Sequence, residues 1–478
     1  MNPGQNRAHR MGTEPIPRLL LEFSIPVMTG MIVQAVYSII NRAFIGNVPE
    51  AATLGMAAIT VGMPIMLVTM AFGMLIGFGG SATLSLYLGQ KDQEKAEKVL
   101  GNAFTMVVVL GLVTTVLGIV FLDPLLIMLG ATAEVLPYAR EYNLIILIAT
   151  VPMMVGFGLN NFIRAEGNPK TSMHYMVWSA VVNVVFDFLF IVVFHWGVAG
   201  AALGTLVAQT FTAVLVLRYF FTKRSHVHFH AKSLRPDGSI LGKIAAIGSS
   251  SFFMQIGASL VQFVLNNQLM VHGGDKALAA WGIITTLLMF FFFFIFGLNG
   301  GSQPLIGYNY GAKNFLRVRT TAKWAILAAT VIMTASWALI QVFAPFLVGM
   351  FSGQDGALRD MATHGLRLVA LMMPLIGFQV IASGYFNSVG KPAHSMFLAL
   401  SRQVLFLLPL AWLLPVFWGL DGLFWATPVA DTLAALVTMV FFVRELGQLE
   451  KKHNAGVIAS DPPLAPPPEP QPEAPLAH

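Results

Sequence analysis

The sequence predicts an all-α polytopic membrane protein of about 12 transmembrane helices, built as two parallel six-helix repeats around a central cavity. Three observations predict this: a shortage of charge, apolar runs long enough to span a bilayer, and an internal repeat that carries the first half of the chain onto the second. Of the 478 residues, 56% are hydrophobic and only 10% charged, with mean hydropathy +0.73. A soluble domain carries about 25% charged residues. A surface so poor in charge cannot be solvated as a globule, so the solvent must be lipid.

Crossing about 30 Å of hydrocarbon takes about 20 apolar residues. Such runs occur at 18–45, 53–78, 97–121, 138–163, 171–194 and 198–221, and again at 243–271, 278–300, 320–350, 360–387, 395–417 and 420–444. The domains read as a cytoplasmic N-terminal segment (1–17), an N-terminal lobe (18–221), a basic cytoplasmic linker (222–242), a C-terminal lobe (243–446) and a disordered Pro-rich tail (447–478). The joints alternate in charge. Lys91 to Lys95, Arg164 to Lys170, Lys223 to Lys243, Lys313 to Lys323 and Lys391 fall on one side; 46–52, 122–137, 195–197, 272–277 and 418–421 hold few Lys or Arg. The positive-inside rule then puts both termini in the cytoplasm. The opening stretch from Met1 to Pro17 is polar and the run after it is too long for a signal-peptide core, so no cleavable signal is expected.

The repeat is read by self-comparison. Gly79-Gly80-Ser81 returns as Gly300-Gly301-Ser302, an offset of 221, and Gly89-Gln90-Lys91 as Gly311-Ala312-Lys313, an offset of 222. Gly167, Pro169 and Met173 return as Gly390, Pro392 and Met396 at 223. Trp196-Gly197, Gly200 and Thr205 return as Trp418-Gly419, Gly422 and Thr427 at 222. Each half has an even number of spans, so both enter from the same side and the repeat axis lies along the membrane normal. Such a pair can enclose a cavity and rock around it, which favours a transporter.

These motifs resemble the multidrug and toxic compound extrusion (MATE) family from about Pro17 to Leu446. The carriers are Gly79 to Gly89, Arg164-Ala165-Glu166-Gly167-Asn168-Pro169-Lys170, Asn183 to Asp187, Trp196 to Ala202, Gly384 to Pro392 and Gly419 to Gly422. The resemblance implies a secondary antiporter that expels organic, often cationic, compounds in exchange for H+ or Na+. It implies residence in a bacterial-type inner membrane. No cofactor, nucleic acid or enzymatic activity is expected; the partners are small organic substrates and the bilayer, and the chain is expected to be monomeric. A lipid-linked saccharide flippase of similar architecture is the alternative, but its pyrophosphate would need more deep basic residues. A major-facilitator loop is not matched by Leu88-Gly89-Gln90-Lys91-Asp92, and no nucleophile–base set, metal motif or phosphate loop is present.

Ionisable groups deep in lipid are costly and are functional candidates by default. Asp187 lies about 24 Å along the fifth helix from its inner end, with Asn183 one turn before it on the same face. Asn41 and Thr205 fall at similar depth, and Gln34 and Tyr37 precede Asn41 on its face. Together they predict a polar, ion-coupling chamber in the N-terminal lobe, with Asp187 and Asn183 as a candidate sodium site and no other metal site. Burial disfavours the carboxylate anion, so proton and cation can compete for one group. The family often carries an Asp where this chain has Asn41, followed by Arg42, so one carboxylate stands where two are common; Arg42 is expected to snorkel outward. In the second half, Arg402 and Asp431 reach similar depth and predict a structural ion pair. Met28, Met31 and Met254 are cavity candidates as adaptable apolar groups, and Asn266 and Asn267 fall near the register position of Asn41.

Overall fold

A computed structural model describes residues 9–46, 52–222, 225–230, 232–352 and 355–460, without the side chains of 38, 39, 42, 43, 45, 46, 52, 53, 56 and 455–460. Lys223, Arg224, the tail beyond 460 and the side chain of Arg42 therefore lie outside the described residues. The N-terminal lobe comprises α1 (Ile16–Gly46), α2 (Ala52–Gly89), α3 (Gln93–Val120), α4 (Leu136–Ala165), α5 (Pro169–Asp187, continued as a π-helix over Phe188–Val193) and α6 (Gly197–Phe221). A short helix, Leu122–Met128, joins α3 to α4.

The C-terminal lobe requires two long helices to be divided. The stretch Gly238–Gly311 runs 74 residues. That is about 110 Å at 1.5 Å per residue, far beyond one crossing of about 30 Å. Its backbone leaves helical values at Gly274 (φ 64°, ψ −160°). Gly419 (φ 57°, ψ −135°) divides the stretch from Pro392 onward in the same way. This gives α7 (238–273), α8 (275–311), α9 (Phe315–Gly349), α10 (Gly356–Val369 and Met373–Ser388, bent by 51°), α11 (392–418, π-helical over Ser401–Leu407) and α12 (420–460). The described residues thus make twelve crossings.

The repeat is written into the backbone. Lys91 and Lys313 both take left-handed conformations (φ 59° and 58°), as do Gly197 and Gly419 (φ 52° and 57°). The packing repeats with its partners exchanged. In the N-terminal lobe Gly77 of α2 faces Asn161 of α4; at the equivalent positions of the C-terminal lobe, Asn299 of α8 faces Gly384 of α10. Gly62 against Asn143 becomes Ile284 against Gly365 in the same way. One large and one small residue fill each gap, whichever helix supplies them.

The ends bearing Lys91, Lys170, Lys313 and Lys391 share one side, the basic end. There the lobes meet along a seam of glycines. A Cβ on Gly89 would lie 2.0 Å from the Tyr308 carbonyl oxygen, and one on Gly311 would lie 2.1 Å from that of Leu86. Gly79 abuts Ile244 and Gly301 abuts Ser24 in matching fashion. The equivalence of Gly79 and Gly301 sets the register at 222, one position from the offset that string matching suggests. Small residues let helix backbones approach closely in membranes. This explains why α2 and α8 run to Gly89 and Gly311, well past the expected ends at 78 and 300.

Other boundaries differ too. Helix α7 begins at Gly238 rather than 243, and helix continues over 447–460 where an irregular tail is expected. Leu449, 1% exposed, packs with Phe442 and Tyr385 and carries α12 beyond the lipid-length run. The linker is not simply solvated: Ser225 and Val227 are fully buried.

Candidate functional site

Helices α1 and α5 both start from the basic end and touch where Gly30 meets Met176. Equal advances along the two therefore reach equal depth. Eleven residues on, about 16 Å, are Asn41 and Asp187; seven residues on are Tyr37 and Asn183. The rings of Phe44 and Phe188, just beyond, stand 6.2 Å apart and hold the two helices at that level.

Asp187 is fully buried and closes the α-helical part of α5 before the π-helix widens the turn. π-turns inside α-helices recur at functional sites. The carboxylate lies against α6: a Cβ on Gly204 would fall 2.0 Å from its Oδ1. Glycine at 204 is what makes room for it. Thr205 is the next residue, and its hydroxyl donates to the Ala201 carbonyl at 3.0 Å. Among the described residues neither oxygen of Asp187 has a hydrogen-bond partner, and the same holds for Oδ1 of Asn183 and of Asn41. Each of these groups is a buried acceptor without a donor among the described residues, which is costly to leave unpaired. Gln34 is exposed and Tyr37 half-buried on the same stretch of α1.

Tyr142 of α4 lies in the same region, packed in a cluster with Val198 and Ala202 of α6. Its hydroxyl lies within electrostatic reach of Asp187 and Tyr37, and the residue is buried. Sequence reasoning missed it. The available signal was a Tyr-Asn pair, Tyr142-Asn143, in the outer part of an otherwise apolar span.

The apolar candidates separate. Met28 lies in the seam, packed against Gly297 of α8, and is half-buried. Met31 and Met254 are half-buried. On α7, Gln262 donates to Asn266 Oδ1 at 2.8 Å and Asn267 is exposed. This polar strip belongs to the other lobe and stands apart from Asp187.

In the C-terminal lobe, Arg402 Nε donates to Asp431 Oδ1 at 2.6 Å, with Asp431 1% exposed. Arg402 rides on the π-helical part of α11, and Asp431 Oδ2 has no partner among the described residues. At the basic end, Glu166 fastens the linker to α4 and α6. It accepts from Tyr219 Oη, from Ser225 Oγ at 2.8 Å and from the amides of His226 and Val227. Burial pushes the Glu166 carboxyl up to about 7, against those four donors.

Twelve crossings among the described residues and a repeat that relates the two lobes define a two-lobe polytopic membrane fold. The MatE family model matches residues 26–189 and again 250–413, and the chain belongs to the MatE family. The multidrug export protein MepA of Staphylococcus haemolyticus is 30% identical over 422 residues, covering 88% of this chain and 92% of that protein. MepA of Staphylococcus aureus is 29% identical over 433 residues, covering 90% and 95%. A crystal structure of MATE in complex with MaL6 superposes with TM-score 0.88 at 24% identity, covering 92% of this chain and 99% of the other. An outward-facing multidrug resistance MATE transporter superposes with TM-score 0.87 at 24% identity, covering 92% and 98%.

Proposed function

We propose that this protein is a secondary multidrug efflux transporter that exports organic, often cationic, compounds in antiport with H+ or Na+, coupled through Asp187. The observation that carries the reading is the carboxylate itself: fully buried, with both oxygens unpartnered among the described residues. An uncompensated buried ion costs several kcal/mol. Asp187 therefore calls for a positive charge, and the bound species can be exchanged. A proton or Na+ from outside neutralises it; on the inner side the ion leaves, and the organic cation is drawn to the restored charge. Competition for one carboxylate is sufficient, with Asn183, Asn41 and Thr205 supplying further oxygens. The names of the staphylococcal relatives support the substrate class.

The basic end is read as cytoplasmic by the positive-inside rule, and both termini then lie inside, in a bacterial-type inner membrane. The glycine seam closes the lobes against each other at that end. The test is efflux of a fluorescent organic cation from proteoliposomes under an imposed proton gradient, an imposed sodium gradient, or neither. Transport driven by one ion gradient supports the antiporter. Transport indifferent to both gradients contradicts it.

A further inference from the structure

The chain segment leading into each lobe is tied to the opposite lobe. Residues 9–15 precede α1 of the N-terminal lobe, yet the Met11 carbonyl accepts from Asn309 Nδ2 of α8 at 3.0 Å and from Arg317 of α9 at 3.2 Å. The Glu14 carbonyl accepts from Arg317 at 2.6 Å, and Arg317 Nε donates to Asn309 Oδ1 at 3.2 Å. The same segment stays fastened to its own lobe: Arg10 bridges Glu14 (2.6 Å) and Glu22 of α1 (2.8 Å). Met11 is fully buried in the seam beside Leu84, Leu88, Leu305 and Tyr308. The linker before α7 mirrors this arrangement. Asn102 of α3 accepts from the Asp237 amide at 2.7 Å and donates to the Ser233 carbonyl at 3.2 Å.

We propose that residues 9–15 and Arg317 form the inner gate: a clasp across the seam that holds the basic end closed, and that must open once per transport cycle. Arg317 and Asn309 are positioning residues in this cycle, acting through the segment they hold and not on substrate. The two entry segments differ in one respect. The linker is covalently joined to both lobes, whereas residues 9–15 reach across the seam only by non-covalent contacts, the side-chain-to-carbonyl bonds and the packing of Met11. Opening the basic end therefore breaks the Arg317 and Asn309 bonds, or those of Arg10, while the linker can remain seated on α3.

This inference rests on the alternating-access reading above, and its test does not require substrate. The chain has no cysteine, so spin labels can be placed directly at Glu94→Cys on α3 and Leu316→Cys on α9, exposed positions that are equivalent in the repeat register. Distances are measured in lipid nanodiscs for the otherwise wild-type chain and for Arg317→Ala, Arg317→Lys and Arg10→Ala. The clasp predicts a gained, longer-distance population in Arg317→Ala, raising the open-to-closed ratio about tenfold or more, as expected for losing charge-assisted hydrogen bonds. Arg317→Lys, which keeps the charge but not the fork, falls between. Arg10→Ala changes a partly exposed side chain that tolerates substitution, and it shifts the distribution the same way from the other lobe. Distance distributions unchanged in Arg317→Ala, or in Arg10→Ala if the former fails to fold, overturn the clasp. A wild-type protein that responds in distance but expels no organic cation would count against the transport reading alone.

Discussion

Asp187 and the glycine that faces it form a unit. Because a Cβ at 204 would sit 2.0 Å from Asp187 Oδ1, Gly204→Ala must displace the carboxylate or its helix. We expect the variant to reach the membrane and its efflux to fall about tenfold or more, since small misplacements of a reacting group are costly. Efflux at the wild-type rate would show that the placement is not needed. Arg402 and Asp431 obey a different logic. Removing one member of a buried ion pair costs about 3–5 kcal/mol, so Arg402→Ala or Asp431→Ala should fail, by efflux and by thermal stability. The exchange Arg402→Asp with Asp431→Arg should recover most of both if the pair is a lock. The depth of these residues was legible because each is a lone charge in an apolar run. Tyr142 was not, because a tyrosine carries no such flag, and only the fold brings it to Asp187.

At the scale of elements, the linker gives a pH prediction. Burial moves the Glu166 carboxyl from 4.5 to about 7. Between those values the folded state holds a proton that the unfolded state has released, so stability falls as pH rises through the window. The wild-type melting temperature should therefore drop more steeply across this range than that of Glu166→Gln; equal slopes would contradict it. Helix spans were legible from apolar length, but the ends of α2 and α8 were not. Their last eleven residues, 79–89 and 301–311, lie past the ends of the apolar runs at 78 and 300. In the fold they are the seam, where glycine marks backbone contact with the other lobe. The same ambiguity hid the extension of α12, since a helix that leaves the bilayer has no hydropathy signal.

At the scale of the molecule, the two lobes share a scaffold and differ in chemistry. The exchanged pairs Gly77–Asn161 and Asn299–Gly384 keep the volume of each contact while moving the polar group from one helix to the other. String matching finds the glycines common to both halves and misses these exchanges, because neither member keeps its identity. Both lobes bury acceptors without donors among the described residues, such as Asn299, Gln379 and Asn387 in the C-terminal lobe. The N-terminal lobe differs in burying a carboxylate, Asp187, with neither oxygen partnered, whereas Asp431 of the C-terminal lobe is paired with Arg402. That difference is why the proposed coupling is placed in the N-terminal lobe. The most direct test compares wild type and Asp187→Asn in proteoliposomes, following ion-gradient-driven transport of a fluorescent organic cation at equal protein incorporation. Coupling through Asp187 predicts that gradient-driven transport is lost in the variant while the protein remains folded in the membrane. Transport at the wild-type rate, with its ion dependence unchanged, would contradict it.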